Sequence, residues 1–196
     1  MISRKGTTMK ELTDYSGEFN PKLKPEDLSK ELLVDLLKLY GRLYRAIDGF
    51  WYLSVMEKVN EETATECDFA VWEQMAKYEV ERINKILGVQ GTDVPAFMKY
   101  LQLSPWAWNM EWDVEVSGAD SAVLTVTKCY TLEALEREGK GRDGSFCKDI
   151  ETRMWDIWAA GLNPNIKFTY TKLPPRKSKD DICCQWKVEM AGKSTV

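Results

Sequence analysis

The sequence predicts an α+β fold, with N-terminal helices packed on a four-stranded antiparallel sheet and two further helices. The element order is helix-helix-helix-β-β-α-α-β-β. Three observations carry this. Apolar residues recur at steps of three and four through most of residues 25–103, the spacing of a helical face. After Pro105 the period drops to two, the spacing of a half-buried strand. Glycine- and proline-containing turns then divide the remaining chain into short segments. The reading separates a helical part, 1–104, from an α+β part carrying most of the cysteines, 105–196, within one compact unit.

Residues 1–24 read as irregular, punctuated by Gly17 and Pro21, and Met9 is an alternative start that would leave 1–8 as an extension. The first helix begins at Pro25, with Glu26 and Asp27 at the positive end of its dipole, and runs to about Val59. Leu28, Leu32, Leu36, Leu39, Leu43, Ile47 and Phe50 form an apolar stripe along one of its faces. Gly41 and Gly49 are points where it can bend, and Gly49 is expected at a close helix crossing.

A second helix spans about 61–87 and is closed by Gly88. Its stripe is Ala64, Cys67, Val71, Met75, Tyr78, Arg82 and Ile86. A third helix, about 93–103, opens at Asp93 with Pro95 in its first turn. Trp108, Met110, Trp112, Val114 and Val116 then alternate with polar residues as a strand. The turn 117–120 returns the chain along 121–129 as a hairpin. Short helices at 131–139 and about 146–160 follow, then strands at 166–173 and 181–190.

Composition excludes whole classes of chemistry. There is no histidine among the 196 residues, so Ser-His-Asp and Cys-His devices and histidine-ligated metals are out of reach within one chain. Net charge is −4 with no long basic run, so nucleic acid is not an expected partner. No apolar window approaches the roughly 20 residues that span a bilayer, and the start lacks the apolar region of a signal peptide. Five cysteines without such a signal point to a reducing, cytoplasmic setting with free or metal-bound thiols.

Four of those cysteines fall between Val123 and Met190. Cys129 ends a strand where the chain turns into a helix. Cys147 starts a helix, where the dipole favours thiolate. On the last strand Cys184 shares the apolar face with Trp186 and Val188, and Cys183 points outward. A site of Cys129, Cys147 and Cys184, with Glu133, Glu136 or Glu138 as an oxygen donor or acid/base, suits zinc. No CxxC pair announces it, and buried inert thiols are the plain alternative. Covalent catalysis by Cys147 is the runner-up.

The segments DYSGEFNPKLKPEDLSKE, DGFWY, VWEQMAKYEVERI, LQLSPW, LTVTKCYTLEALEREG and LPPRKSKDDICCQW cover most of residues 14–190. On them the chain resembles an uncharacterised family of small cytosolic proteins of anaerobic bacteria and archaea. That family is similar to the L-2-amino-thiazoline-4-carboxylate hydrolase-like group and, distantly, to the vinyl-reductase-type small-molecule-binding domain. The resemblance implies functional positions at Asp48, Trp51, Trp72, Glu79, Cys129, Glu136, Cys147, Cys184 and Trp186.

The expectation is a small-molecule-binding protein dependent on zinc, with iron as the other metal considered. If it is an enzyme, it is a hydrolase of a small cyclic C–N substrate. Trp51, Trp72, Trp186 and Asp48 would wall the ligand, and Glu136 or Glu79 would move the proton. The alternative is a non-catalytic sensor or assembly module with inert cysteines and exposed aromatics such as Trp106. A homodimer stays open.

Overall fold

The computed structural model describes residues 11–192. The alternative start at Met9 and the 1–8 extension lie outside them. A 3-10 turn at Pro25–Asp27 precedes α1, Lys30–Lys58, so the helix starts one turn later than its proline suggests. Ser29 is its cap, accepting from Leu32 N at 3.2 Å, which outweighs the pull of Pro25. The helix α2, Glu61–Leu87, is capped by Asn60 and closed by left-handed Gly88. Asp93 caps α3, Val94–Leu103.

Strands β1, Met110–Ser117, and β2, Ser121–Cys129, form the expected hairpin. Next come α4, Tyr130–Glu138, and a helical run made of α5, Arg142–Phe146, a π-helical turn at Cys147–Glu151, and α6, Thr152–Leu162. Strands β3, Ile166–Lys172, and β4, Cys184–Met190, complete an antiparallel sheet in the order β1-β2-β4-β3. The fold is α+β as expected. None of the described helices is long and apolar enough to cross a membrane.

One core spans both parts of the chain. Phe69, Trp72, Phe97 and Leu101 from the helices meet Leu124, Trp155, Trp158, Trp186 and Val188. Trp72, Trp106, Trp155 and Trp158 are linked ring to ring by edge-on and tilted contacts at 5.2–5.6 Å. Most of the tryptophans named in the sequence therefore build the core. Trp106 is among them, only 9% exposed rather than turned out to a partner.

The helical faces correct the sequence reading. In α2 the buried set is Ala64, Asp68, Phe69, Trp72, Ala76, Glu79 and Val80, one residue out of phase with the expected stripe. Val71, Tyr78 and Ile86 are exposed instead. The true inner face carries Asp68 and Glu79, so it reads as polar until their partners are known. In α1 only Gly41 and Tyr52 are buried, and the apolar stripe faces away from the domain over its second half.

Close backbone approach occurs at Gly41, not Gly49. A Cβ on Gly41 would stand 2.8 Å from the Pro105 carbonyl oxygen, whereas one on Gly49 meets nothing within 4 Å. This contact lets α1 lie against the turn at Ala107–Asn109, and Asn109 Nδ2 donates to the Gly41 carbonyl at 2.9 Å.

A thiol and carboxylate chamber beside a larger pocket

The antiparallel pairing of β2 with β4 sets the C-terminal end of one beside the N-terminal end of the other. Cys129 ends β2 and Cys184 begins β4, so two cysteines far apart in sequence arrive at the same place. Cys129 also caps α4, its Sγ accepting from Leu132 N at 3.5 Å. Cys184 Sγ accepts from Trp186 Nε1 at 3.1 Å. The π-helical turn brings the third and fourth groups, Cys147 at its first residue and Glu151 at its last. Single π turns inside helices are frequent at functional sites because they re-aim side chains that an α-turn would splay.

These four groups line one internal chamber of about 30 Å³, walled by Trp106, Met110, Val126, Leu132, Trp155 and Trp186. That volume admits a water molecule or an ion and nothing larger. Asn109 also lines it. It is 2% exposed; its Nδ2 is spent on backbone carbonyls, and its Oδ1 has no partner. Among the described residues, no lysine or arginine lines the chamber.

Electrostatics follow from this composition. Burial pushes the Cys129 thiol up to about 11 and the Cys147 and Cys184 thiols higher, with Glu151 adding to each rise. Glu151 itself is raised to about 7, first by burial and then by Asp68 and Asp48. Three sulfurs, a carboxyl and an orphan amide oxygen thus belong to residues lining one chamber, with no lysine or arginine among the described residues that line it. In kind these donors fit a soft ion, which displaces thiol protons and offsets the burial of anions. Among the described residues, no three His, Cys, Asp or Glu groups are already arranged to hold a metal ion.

A second cavity, about 350 Å³, shares Trp106 and Thr131 with the chamber and lies between α1, α2 and α4. Its polar groups include Arg45, Asp48, Asp68, Glu138 and Arg142. Arg142 is paired with Glu138 at 3.0 Å, but Arg45 Nε is buried and unpartnered. Asp48 accepts from Trp72 Nε1 at 3.0 Å and is hydrogen-bonded to Asp68. Burial raises both carboxyls, Asp68 to about 7 with Asp48 reinforcing it, so the pair holds a proton near neutral pH.

A family of unknown function, DUF6125, matches the chain over residues 25–190. The chain belongs to that family. No curated protein and no solved structure matches it.

Of the positions that the sequence resemblance implies, the structure gathers Cys129, Cys147, Cys184 and Trp186 at the chamber. Asp48, Trp51 and Trp72 line a groove of about 300 Å³ between α1 and α2, with Trp51 41% exposed. Glu79 and Glu136 line neither chamber nor pocket. Glu79 accepts from Tyr44, Tyr100 and Ser104, tying α1, α2 and α3 together. Glu136 forms a two-pronged ion pair with Arg176 at 2.7 Å, which holds its carboxyl below the ordinary range.

Cys147 is not at a helix start. The helical run begins at Arg142, so no dipole end acts on the thiol, and burial raises it instead. Cys183 is not outward. It is 1% exposed, with Arg176 Nη1 at 3.8 Å from its Sγ. Sequence reasoning missed Glu151, Asp68, Asn109 and Arg45. For Glu151 there was a signal, since it lies one helical turn after Cys147. For Asn109 there was none, because it reads as the polar side of a strand.

Proposed function

We propose that this chain is a small-molecule-binding protein whose chamber holds a soft metal ion of the zinc type through Cys129, Cys147, Cys184 and Glu151. One observation carries the reading: three cysteines and a buried carboxyl from three distant segments line one chamber sized for an ion. The small molecule takes the 350 Å³ pocket across Trp106 and Thr131, because the chamber is too small for it. There Arg45, which lines the pocket, offers positive charge to an anionic or carbonyl group, and the Asp48–Asp68 pair supplies or accepts a proton. A metal held by all four groups would be closed to a bound water, so it would brace the wall shared with the pocket, and proton transfer falls to the Asp48–Asp68 pair.

The resemblance to the L-2-amino-thiazoline-4-carboxylate hydrolase-like group extends this reading to hydrolysis of a small cyclic C–N substrate. The five free cysteines support a reducing, cytoplasmic setting. Metal content of untagged protein is the test, measured by elemental analysis beside Cys184→Ser and Cys147→Ser. The expected result is about one zinc or iron per chain, lost in both variants. Metal-free protein in which all thiols titrate after unfolding overturns the metal reading and leaves inert buried cysteines.

A further inference from the structure

The face that α1 turns toward the domain is its polar one. Gly41, Arg45, Asp48 and Tyr52, spaced by four, three and four, are buried or line the ligand pocket. At 3.6 residues per turn, the opposite face carries Leu39, Tyr40, Leu43, Ile47, Phe50 and Trp51. These are 39%, 57%, 53%, 70%, 70% and 41% exposed. No charged residue interrupts that face between Leu32 and Trp51. Scattered surface leucines need no explanation, but a continuous uncharged apolar face several turns long marks an interaction site.

We infer that a second copy of this chain covers this face, so that two α1 helices pack against each other across a twofold axis. Two arguments select that occupant. Fully covered, these six residues would give up several hundred Å² per copy, on the order of the ~800 Å² per partner of a standard stable interface. A uniform apolar stripe is also self-complementary, as an isologous contact requires, whereas a charged or mixed partner would leave its own polar groups unpaired on it. The stripe adjoins the groove of Ile47, Asp48 and Trp51 between α1 and α2, so the second copy lies beside that groove.

The test is the solution mass of the full-length chain by sedimentation equilibrium from 1 to 100 µM (an order-of-magnitude range chosen to bracket standard interfaces). The expected result is twice the 22.6 kDa chain mass. Ile47→Glu is expected to weaken dimerisation at least a hundredfold with an unchanged far-ultraviolet circular dichroism spectrum. Ile86→Glu, at an 84% exposed position near the far end of α2, is expected to leave the dimer intact. Because Ile47→Glu could unfold the chain, Leu43→Gln serves as a milder second variant, expected to weaken the dimer measurably. A monomeric wild type at the highest concentration overturns the inference. So does a dimer that survives both stripe variants. Monomeric wild type that binds vesicles of anionic phospholipid through the same residues overturns it in favour of a membrane surface.

Discussion

Replacing Glu79 with alanine separates a structural carboxylate from a proton carrier. Glu79 is 6% exposed and accepts from Tyr44 Oη at 2.8 Å, Tyr100 Oη at 2.8 Å and Ser104 Oγ at 2.6 Å. Tyr100 and Ser104 are each 1% exposed, so their hydroxyls cannot turn to water when the carboxylate is removed. Tyr44 is half-buried and can. An unsatisfied buried donor costs about 1–3 kcal/mol, and the recovered cost of burying a carboxylate offsets part of two such losses. The expected net loss for Glu79→Ala is about 2–4 kcal/mol, a large fraction of a typical domain's stability. For a chain of this size that lowers Tm by roughly 4–16 °C. Glu79→Gln keeps one acceptor and lets a hydroxyl reverse, so about 1–2 kcal/mol is expected. Urea unfolding followed by tryptophan fluorescence measures both. A loss under 1 kcal/mol for Glu79→Ala, together with lost ligand binding or turnover, would refute the structural assignment.

Two further outcomes follow from the same geometry. In the metal-free protein the raised Asp68 carboxyl binds a proton that the unfolded chain releases near 3.8, so its contribution is fully present below that value. Stability therefore falls as pH rises from about 4 through about 7, by on the order of 2–4 kcal/mol, and Asp68→Asn flattens that slope; a wild-type profile that rises over this range contradicts the assignment. Gly161→Ala is the second. Its Cβ would meet the Ala76 carbonyl carbon and oxygen at 2.9 Å, backbone atoms that cannot move aside as a flexible side chain would. Overpacking of about 1–3 kcal/mol exceeds the roughly 1 kcal/mol gained in helix propensity, so a net loss of about 1–2 kcal/mol is expected in urea, and a stabilised variant would refute the close crossing of α2 and α6.

Where side-chain periodicity and turn chemistry act locally, the sequence was enough. The 110–129 hairpin, the caps at Asp93, Gly88 and Gly139, and the α+β order follow from residues a few positions apart. Cys129 at a strand end and Cys184 on an apolar strand face were legible too, whereas Cys147 is singled out in the sequence by a helix start that it does not occupy. The inner faces of α1 and α2 were not legible. They carry Arg45, Asp48, Asp68 and Glu79, which a periodicity argument assigns to solvent.

What the sequence by itself determined is the order and type of the elements, the absence of histidine, and the three cysteines that the fold brings to one chamber. Only the tertiary structure decided which acids join them. Glu151 reaches the chamber through a π turn, which no local propensity announces. Asp48 reaches Asp68 only because α1 packs against α2 with its polar side inward. A carboxylate can be buried when Trp72 Nε1 or three hydroxyls stand opposite it, and those partners lie 21 to 35 residues away in the chain. That dependence on distant partners is why polar burial escaped the sequence while apolar alternation did not.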